Sequence, residues 1–185
     1  MQSEDKIWKI LSEKEVFSCK IFKINEMQCF LPSKNINNNF LSLKLHNWVN
    51  IFAYTKEKNV ILVRQHRLGA NIITNEVPAG AIEQNEDPEK AAKRELEEET
   101  SYTSNEIILL KKIRVNPAIQ NNFCYFFLAK DCKKTKEVNL DLTEEIEIVI
   151  KPMEEIFDCI LNSDFMDNSL SLMSVMFAKE YLKKQ

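Results

Sequence analysis

Before residue 70 the apolar positions fall into short, β-rich runs; after it a helical period appears. Between Val16 and Leu31 the runs VFSCKIFKI and MQCFL hold β-branched and aromatic residues, and Phe40–Leu45, Trp48–Tyr54 and Val60–Arg64 repeat that character. The pattern predicts several antiparallel strands, with Thr55–Asn59 (TKEKN) as a hairpin turn and the polar stretch 33–39 (SKNINNN) as a loop. Residues 88–100 predict a helix. Asp87 is placed to cap its first turn, and Pro88 suits the first helical position, where its missing N–H costs nothing. Ala91, Ala92 and Leu96 give that helix a narrow apolar side. Strands resume at Glu106–Val115, Phe123–Ala129 and Ile146–Ile150, and two helices follow near Met153–Asn162 and Ser169–Lys183. In the last, Leu170, Met173, Val175, Met176, Phe177 and Leu182 fit helical burial better than alternation. Mixed strands flanked by helices predict an α/β sandwich.

Composition narrows the function classes. A chain of 185 residues suits one domain, or one domain with an extension, and 44% hydrophobic residues suffice for a core. The net charge of -3, from 25 basic and 28 acidic residues, lacks the basic excess that sequence-independent DNA binding needs. Basic clusters are local: Lys111, Lys112 and Arg114, and Arg64, His66 and Arg67. The five cysteines are odd in number and none has C-x-x-C spacing, which reads as free thiols in a reducing compartment. No apolar run approaches the ~20 residues of a membrane span. The opening MQSEDKIWKI carries acids where a signal peptide carries bases, so a cytoplasmic location is expected. Only Gly69 and Gly80 are glycines; turns are left to Asn, Asp, Ser and Lys, and a retained glycine marks a place where no side chain fits.

The chemistry concentrates in Arg94-Glu95-Leu96-Glu97-Glu98-Glu99. Residues three and four apart share a helix face, so Glu95 stands beside Glu98 and Glu99. Like charges at those spacings destabilise a bare helix by roughly 0.2–0.5 kcal/mol per pair. Set beside an apolar stripe, three such carboxylates suit a hard divalent cation, which favours carboxylate oxygen. Arg94 lies one turn before Glu98 and is placed to pair with it. Upstream, Gly80 precedes Glu86 after five residues, and Arg94-Glu95-Leu96 follows Glu86 after seven.

That register resembles the Nudix box: Gly, five residues, Glu, seven residues, Arg-Glu, an aliphatic, any residue, Glu-Glu. At roughly one chance in fifteen per specified position, coincidence is on the order of one in 10^8 per start, relaxed about a hundredfold by glutamate bias. Two positions depart. The family's closing Gly is Ser101, and its final aliphatic is Tyr102. Neither is a metal ligand; a serine in the left-handed conformation costs roughly 1 kcal/mol, so a slightly strained helix end is expected. The run Asn47–Tyr54, the hexad Leu62-Val63-Arg64-Gln65-His66-Arg67, the segment Glu76-Val77-Pro78-Ala79-Gly80, and Pro117 look like the ADP-ribose and nucleotide-sugar pyrophosphatase branch of that family.

The resemblance implies a Nudix-type α/β/α sandwich with a mixed sheet over residues 46–185. It also implies a small N-terminal antiparallel sheet, residues 1–45, of the kind that builds homodimers. It further implies Mg²⁺ or Mn²⁺ held by Glu95, Glu98, Glu99 and the Ala79 carbonyl, with Gly80 letting the loop fold onto the helix. Glu86 supports the loop, and Leu96 is core. Glu98 counts among the catalytic residues through the metal. Glu144 and Glu145, in the late loop LDLTEEIE, are both candidates for the general base, and the sequence does not separate them. Arg67 is expected to hold phosphate, and Glu76 to accept hydrogen bonds from a sugar or base. The implied reaction is hydrolysis of a nucleoside-diphosphate sugar to a nucleoside monophosphate and a sugar phosphate, with no nucleic acid or membrane as partner. The segment Asn116–Asn122 departs from the branch's Pro-Gly-type loop, which leaves nucleotide sugars other than ADP-ribose open. Other readings are a hydrolase of dinucleotides or nucleoside triphosphates, and a non-catalytic Nudix-fold binding module.

Overall fold

The computed structural model describes residues 4–135, 145–162 and 164–185. The chain divides into two compact units. One runs up to His46 and takes in Arg114–Phe123; the other comprises Asn47–Ile113 and Cys124–Gln185.

In the first unit, β1 (Lys9–Ser18), β2 (Phe22–Leu31) and β3 (Ile36–Leu45) form an antiparallel sheet in that order. The polar stretch 33–39 is not the expected loop. One 3-10 turn, Pro32–Lys34, and Asn35 at φ 49° reverse the chain, and β3 begins at Ile36. Asn37, Asn38 and Asn39 pair with Phe30, Cys29 and Gln28. Their side chains are exposed, so the backbone ladder alone keeps a polar segment extended. Strand β1 begins well before Val16, and every one of its residues is exposed.

The second unit follows with β4 (Trp48–Tyr54), β5 (Asn59–Arg67), β6 (Ile72–Glu76), β7 (Ala79–Ala81) and α1 (Pro88–Thr100). Then come β8 (Tyr102–Thr103), β9 (Glu106–Arg114), β10 (Phe123–Lys130), β11 (Lys133–Lys134), β12 (Glu147–Pro152), α2 (Met153–Asn162) and α3 (Ser169–Leu182). The main sheet has the order β12-β5-β4-β10-β9, with β6 on β5 and β7 on β4. Strands β4 and β10 are parallel, while β12–β5, β5–β6, β4–β5 and β4–β7 are antiparallel, so the sheet is mixed.

Alternation along β4 decides the layers. Val49, Ile51 and Ala53 pack with Ala91, Ala92 and Leu96 of α1. Phe52 and Tyr54 point the other way, onto Met153 and Ile156 of α2 and Val175 and Ala178 of α3. The strand is buried on both faces, hence its near-continuous apolar run. This is the α/β/α sandwich that the resemblance implies. Helix α1 is bounded as expected: the Asp87 carboxylate accepts from the Glu89 and Lys90 amides, and Ser101 stops the helix at φ 60°.

Candidate active site

Strand β7 lies against β4, with Gly80 opposite Val49 and Ala79 opposite Asn50. This pairing carries the 79–81 backbone onto α1. A Cβ on Gly80 would stand 2.0 Å from the Glu95 carboxyl carbon. The glycine is therefore required by space, not by backbone conformation, since its φ is not positive. One turn further on, the buried Glu99 carboxylate accepts from the Ala79 amide at 3.0 Å. Glu95 and Glu99 thus lie on the segment whose Ala79 carbonyl the sequence nominates.

Arg94 organises the outer side of the helix. Its Nε and Nη2 donate to the two Glu86 oxygens, each at 2.9 Å, and Nη1 donates to Glu95 at 2.8 Å and Glu98 at 3.0 Å. Nη2 also donates to the Ala81 carbonyl at 3.1 Å, tying α1 to β7. Glu86 accepts in addition from the Glu83 amide at 2.9 Å. Hydrogen bonding from Arg94 holds the Glu86 carboxyl below the usual carboxylate range.

The donor set at this face is oxygen only, which fits a hard divalent cation. Among the described residues, no three acidic, histidine or cysteine side chains stand close enough together to grip an ion as they are. Glu98 turns toward Arg94 instead, and its side chain is 48% exposed, so a rotamer change brings it round at little cost. The fit of this face to a cation thus rests on the chemistry of its oxygen donors, with Glu98 held by Arg94.

Beside β7 lies a cavity of about 300 Å³ whose lining includes Trp48, Asn50, Arg67, Glu76, Gly80 and Asn168. Arg67 grips Glu76 with two bonds, Nε to Oε1 at 2.8 Å and Nη2 to Oε2 at 2.7 Å. The Thr74 hydroxyl also donates to Glu76. Glu76 is only 2% exposed, whereas the Arg67 side chain is 45% exposed. Burial pushes the Glu76 pKa up, but hydrogen bonds from Arg67 and Thr74 outweigh it and hold the group below its ordinary 4.5. Asn168 caps α3, accepting from the Leu170 and Ser171 amides at 3.0 Å each. The Asn50 amide donates to the Val49 carbonyl and to Cys124 Sγ. Burial pushes the Cys124 thiol up to about 12, which makes it a packing group, not a nucleophile.

A profile of the NUDIX domain matches residues 44–168. The chain belongs to this family. Its sequence is 29% identical to an ADP-ribose pyrophosphatase of Bacillus subtilis over 148 residues, 80% of each chain. A methanol dehydrogenase activator of Bacillus methanolicus is 26% identical and covers 96% of this chain and 93% of its own. A GDP-mannose pyrophosphatase of Escherichia coli is 27% identical over 136 residues, 69% of this chain and 71% of its own. In fold, the crystal structure of an ADP compounds hydrolase matches with a TM-score of 0.84 at 21% identity, covering 96% and 95% of the two chains.

Within the Nudix frame, the residues nominated from sequence fall into two groups. Ala79, Glu95 and Glu99 lie where β7 meets α1, Glu98 turns to Arg94 on the same helix, and Arg67 and Glu76 line the adjoining cavity. Glu144 lies outside the described residues, and Glu145 is exposed just ahead of β12. Trp48, Asn50 and Asn168 were not singled out from sequence. The i, i+2 spacing of Trp48 and Asn50 on β4 and the Asn-Ser start of α3 were the available signals.

Proposed function

We propose that this Nudix protein hydrolyses the diphosphate bond of a nucleoside-diphosphate sugar, with ADP-ribose the first compound to try, to a nucleoside monophosphate and a sugar phosphate. One observation carries the reading. The Glu95 carboxylate lies in the space that a Gly80 side chain would fill, with Glu98 and Glu99 on the same helix and the Arg67 cavity next to it. The relatives named for ADP-ribose and GDP-mannose support that substrate class.

Glu95, Glu98, Glu99 and the Ala79 carbonyl would hold Mg²⁺ or Mn²⁺. When bound, such an ion lowers the pKa of water and neutralises phosphate oxygens. Arg67 binds a phosphate oxygen at the cavity mouth. Glu76, already engaged by Arg67 and Thr74, keeps the guanidinium pointed there. Arg94 fixes Glu86 and the 81–86 loop and shares its charge with Glu95 and Glu98. Glu144 or Glu145 takes the proton from the attacking water onto its carboxylate. Trp48 and Asn50 face the remainder of the substrate.

The protein works as a cytoplasmic homodimer in this reading. The sheet β1–β3 exposes Ile10, Leu11, Val16, Phe17 and Leu41, an apolar set suited to a second copy, and all five cysteines are unpaired. Light scattering at micromolar concentration tests the assembly, and a monomer there would refute it. For the reaction, the test is a panel of diphosphate compounds assayed with Mg²⁺ and with chelator, run in ¹⁸O-water. ADP-ribose is expected to give AMP and ribose 5-phosphate with label on a phosphate. Free ADP as the main product would overturn the mechanism, because it requires cleavage of the phosphate–sugar ester and leaves the diphosphate bond intact.

A further inference from the structure

A second cavity in the second unit lies away from the Gly80 site. Strand β4 connects the two: Trp48 at its start lines the Gly80 cavity, and Tyr54 at its end lines the other. At about 3.3 Å per residue these positions are roughly 20 Å apart. The second cavity measures about 820 Å³, within the ~300–1,000 Å³ typical of small-molecule sites. Its walls are the Tyr54–Asn59 turn, Lys130 at the end of β10, the junction of β12 with α2, and the last turn of α3.

The floor is aromatic. Tyr54 is almost fully buried, and Phe157 stacks on Phe52 with ring centroids 5.8 Å apart. Two ammonium groups stand over this floor. Lys58 Nζ is 4.6 Å from the Tyr54 ring centroid. Lys179 Nζ is 5.4 Å from that of Phe157 and donates to the Phe157 carbonyl at 3.1 Å. Among the described residues neither is ion-paired, whereas Lys130 in the same cavity is paired with Glu106 at 2.8 Å. Lys58 holds a left-handed backbone, φ 63°, which a glycine adopts at lower cost. Its carbonyl accepts from the Met153 amide at 2.9 Å, so the start of α2 locks the turn that presents this lysine.

We infer that this cavity is a second binding site, for a nucleoside monophosphate or a ligand of the same chemistry: one phosphate attached to a flat ring and hydroxyl groups. Lys58 and Lys179 neutralise the phosphate, and the half-buried Phe157 is the ring open to the ligand's flat face. Glu57 and Glu154 on the same wall accept from hydroxyl or amino donors. These carboxylates, with Asp131 beside them, disfavour polyphosphates, whose charge exceeds what the two lysines neutralise, and inorganic phosphate lacks the ring. The inference stands apart from the reaction proposed above, since no residue of the Gly80 site takes part.

The probe is AMP, titrated calorimetrically into the full chain and into three variants. Binding is expected to persist in Arg67→Ala, which alters only the Gly80 cavity. It should weaken at least tenfold in Lys58→Gln and in Lys58→Ala/Lys179→Ala, with hydrolytic kcat/KM of the Lys58→Gln variant within twofold of the parent. The single variant changes one side chain on a surface turn and keeps the test valid if the double variant folds poorly. Nuclear Overhauser contacts between the AMP base and the Phe157 ring are expected in the parent. Inorganic phosphate should bind at least tenfold more weakly than AMP. AMP affinity unchanged by Lys58→Gln, binding abolished by Arg67→Ala, or no binding of AMP at millimolar concentration would each overturn the inference.

Discussion

Gly80→Ala adds one carbon at the point where β7 meets α1. The new Cβ would stand 2.0 Å from the Glu95 carboxyl carbon and 2.1 and 2.3 Å from its oxygens. Real Cβ contacts essentially never fall below 3.0 Å and become ordinary at 3.4 Å, so the carboxylate must retreat by about 1.0–1.4 Å. The displaced atoms end a flexible side chain, and the glycine φ is not positive, so neither core packing nor backbone conformation is broken. The stability change should stay within about 1 kcal/mol. The consequence falls on function. A misplacement of about 1 Å at a catalytic group costs about a hundredfold in rate, or ~2.7 kcal/mol of activation free energy. The assay is ADP-ribose turnover against Mg²⁺ concentration, with thermal unfolding measured on the same samples. A hundredfold loss of kcat with an almost unchanged Tm is expected. Activity within threefold of the parent would show that the position of Glu95 against Gly80 is not part of the machinery. A collapse of Tm would show that the cost lies in the fold.

Glu98→Gln and Glu99→Gln each remove a negative oxygen while keeping size. Each should lower turnover by at least about two orders of magnitude with the fold preserved, and near-normal rates in both at limiting Mg²⁺ would remove α1 from the mechanism. Glu76→Gln should raise KM more than it lowers kcat, because the Arg67 grip loosens. It also has a pH signature. The folded Glu76 carboxyl is held below 4.5, so its contribution to stability is fully present above that value and is lost as pH falls through the folded pKa. The stability gap between parent and variant, from urea titrations, should therefore be constant near neutrality and narrow below pH 4.5; a gap that widens in acid would contradict this. Ser101→Gly relieves a left-handed serine at φ 60° and removes a buried hydroxyl oxygen without a hydrogen-bond partner. A gain of about 1 kcal/mol, or ~2–4 °C in Tm by calorimetry, is expected; a loss would mean that the serine contributes packing the glycine cannot replace.

Features set by neighbours along the chain were legible in the sequence. The helical period alone places Glu95, Glu98 and Glu99 on one side of the helix, Asp87 before Pro88 marks the start of α1, and the β-rich apolar run Trp48–Tyr54 marks β4 as a strand. The Gly80–Glu86–Arg94 spacing carried the family with it. Features that join distant segments depended on register and chain path, which no local pattern encodes. The Asn run of β3 is extended only because β2 offers it a ladder. The contact of Gly80 with Glu95 exists because β7 pairs with β4 beneath α1. Arg94 meets Glu98 through the helical repeat, but reaches Glu86 and the Ala81 carbonyl only through the fold. Arg67 and Glu76, nominated singly from sequence, become one buried-end ion pair where β5 and β6 run side by side. Trp48, Asn50 and Asn168, from the first strand and the last helix of the second unit, share a cavity only in three dimensions. Spacing along one helix determined the kind of chemistry; the pairing of strands decided which side chains stand around it.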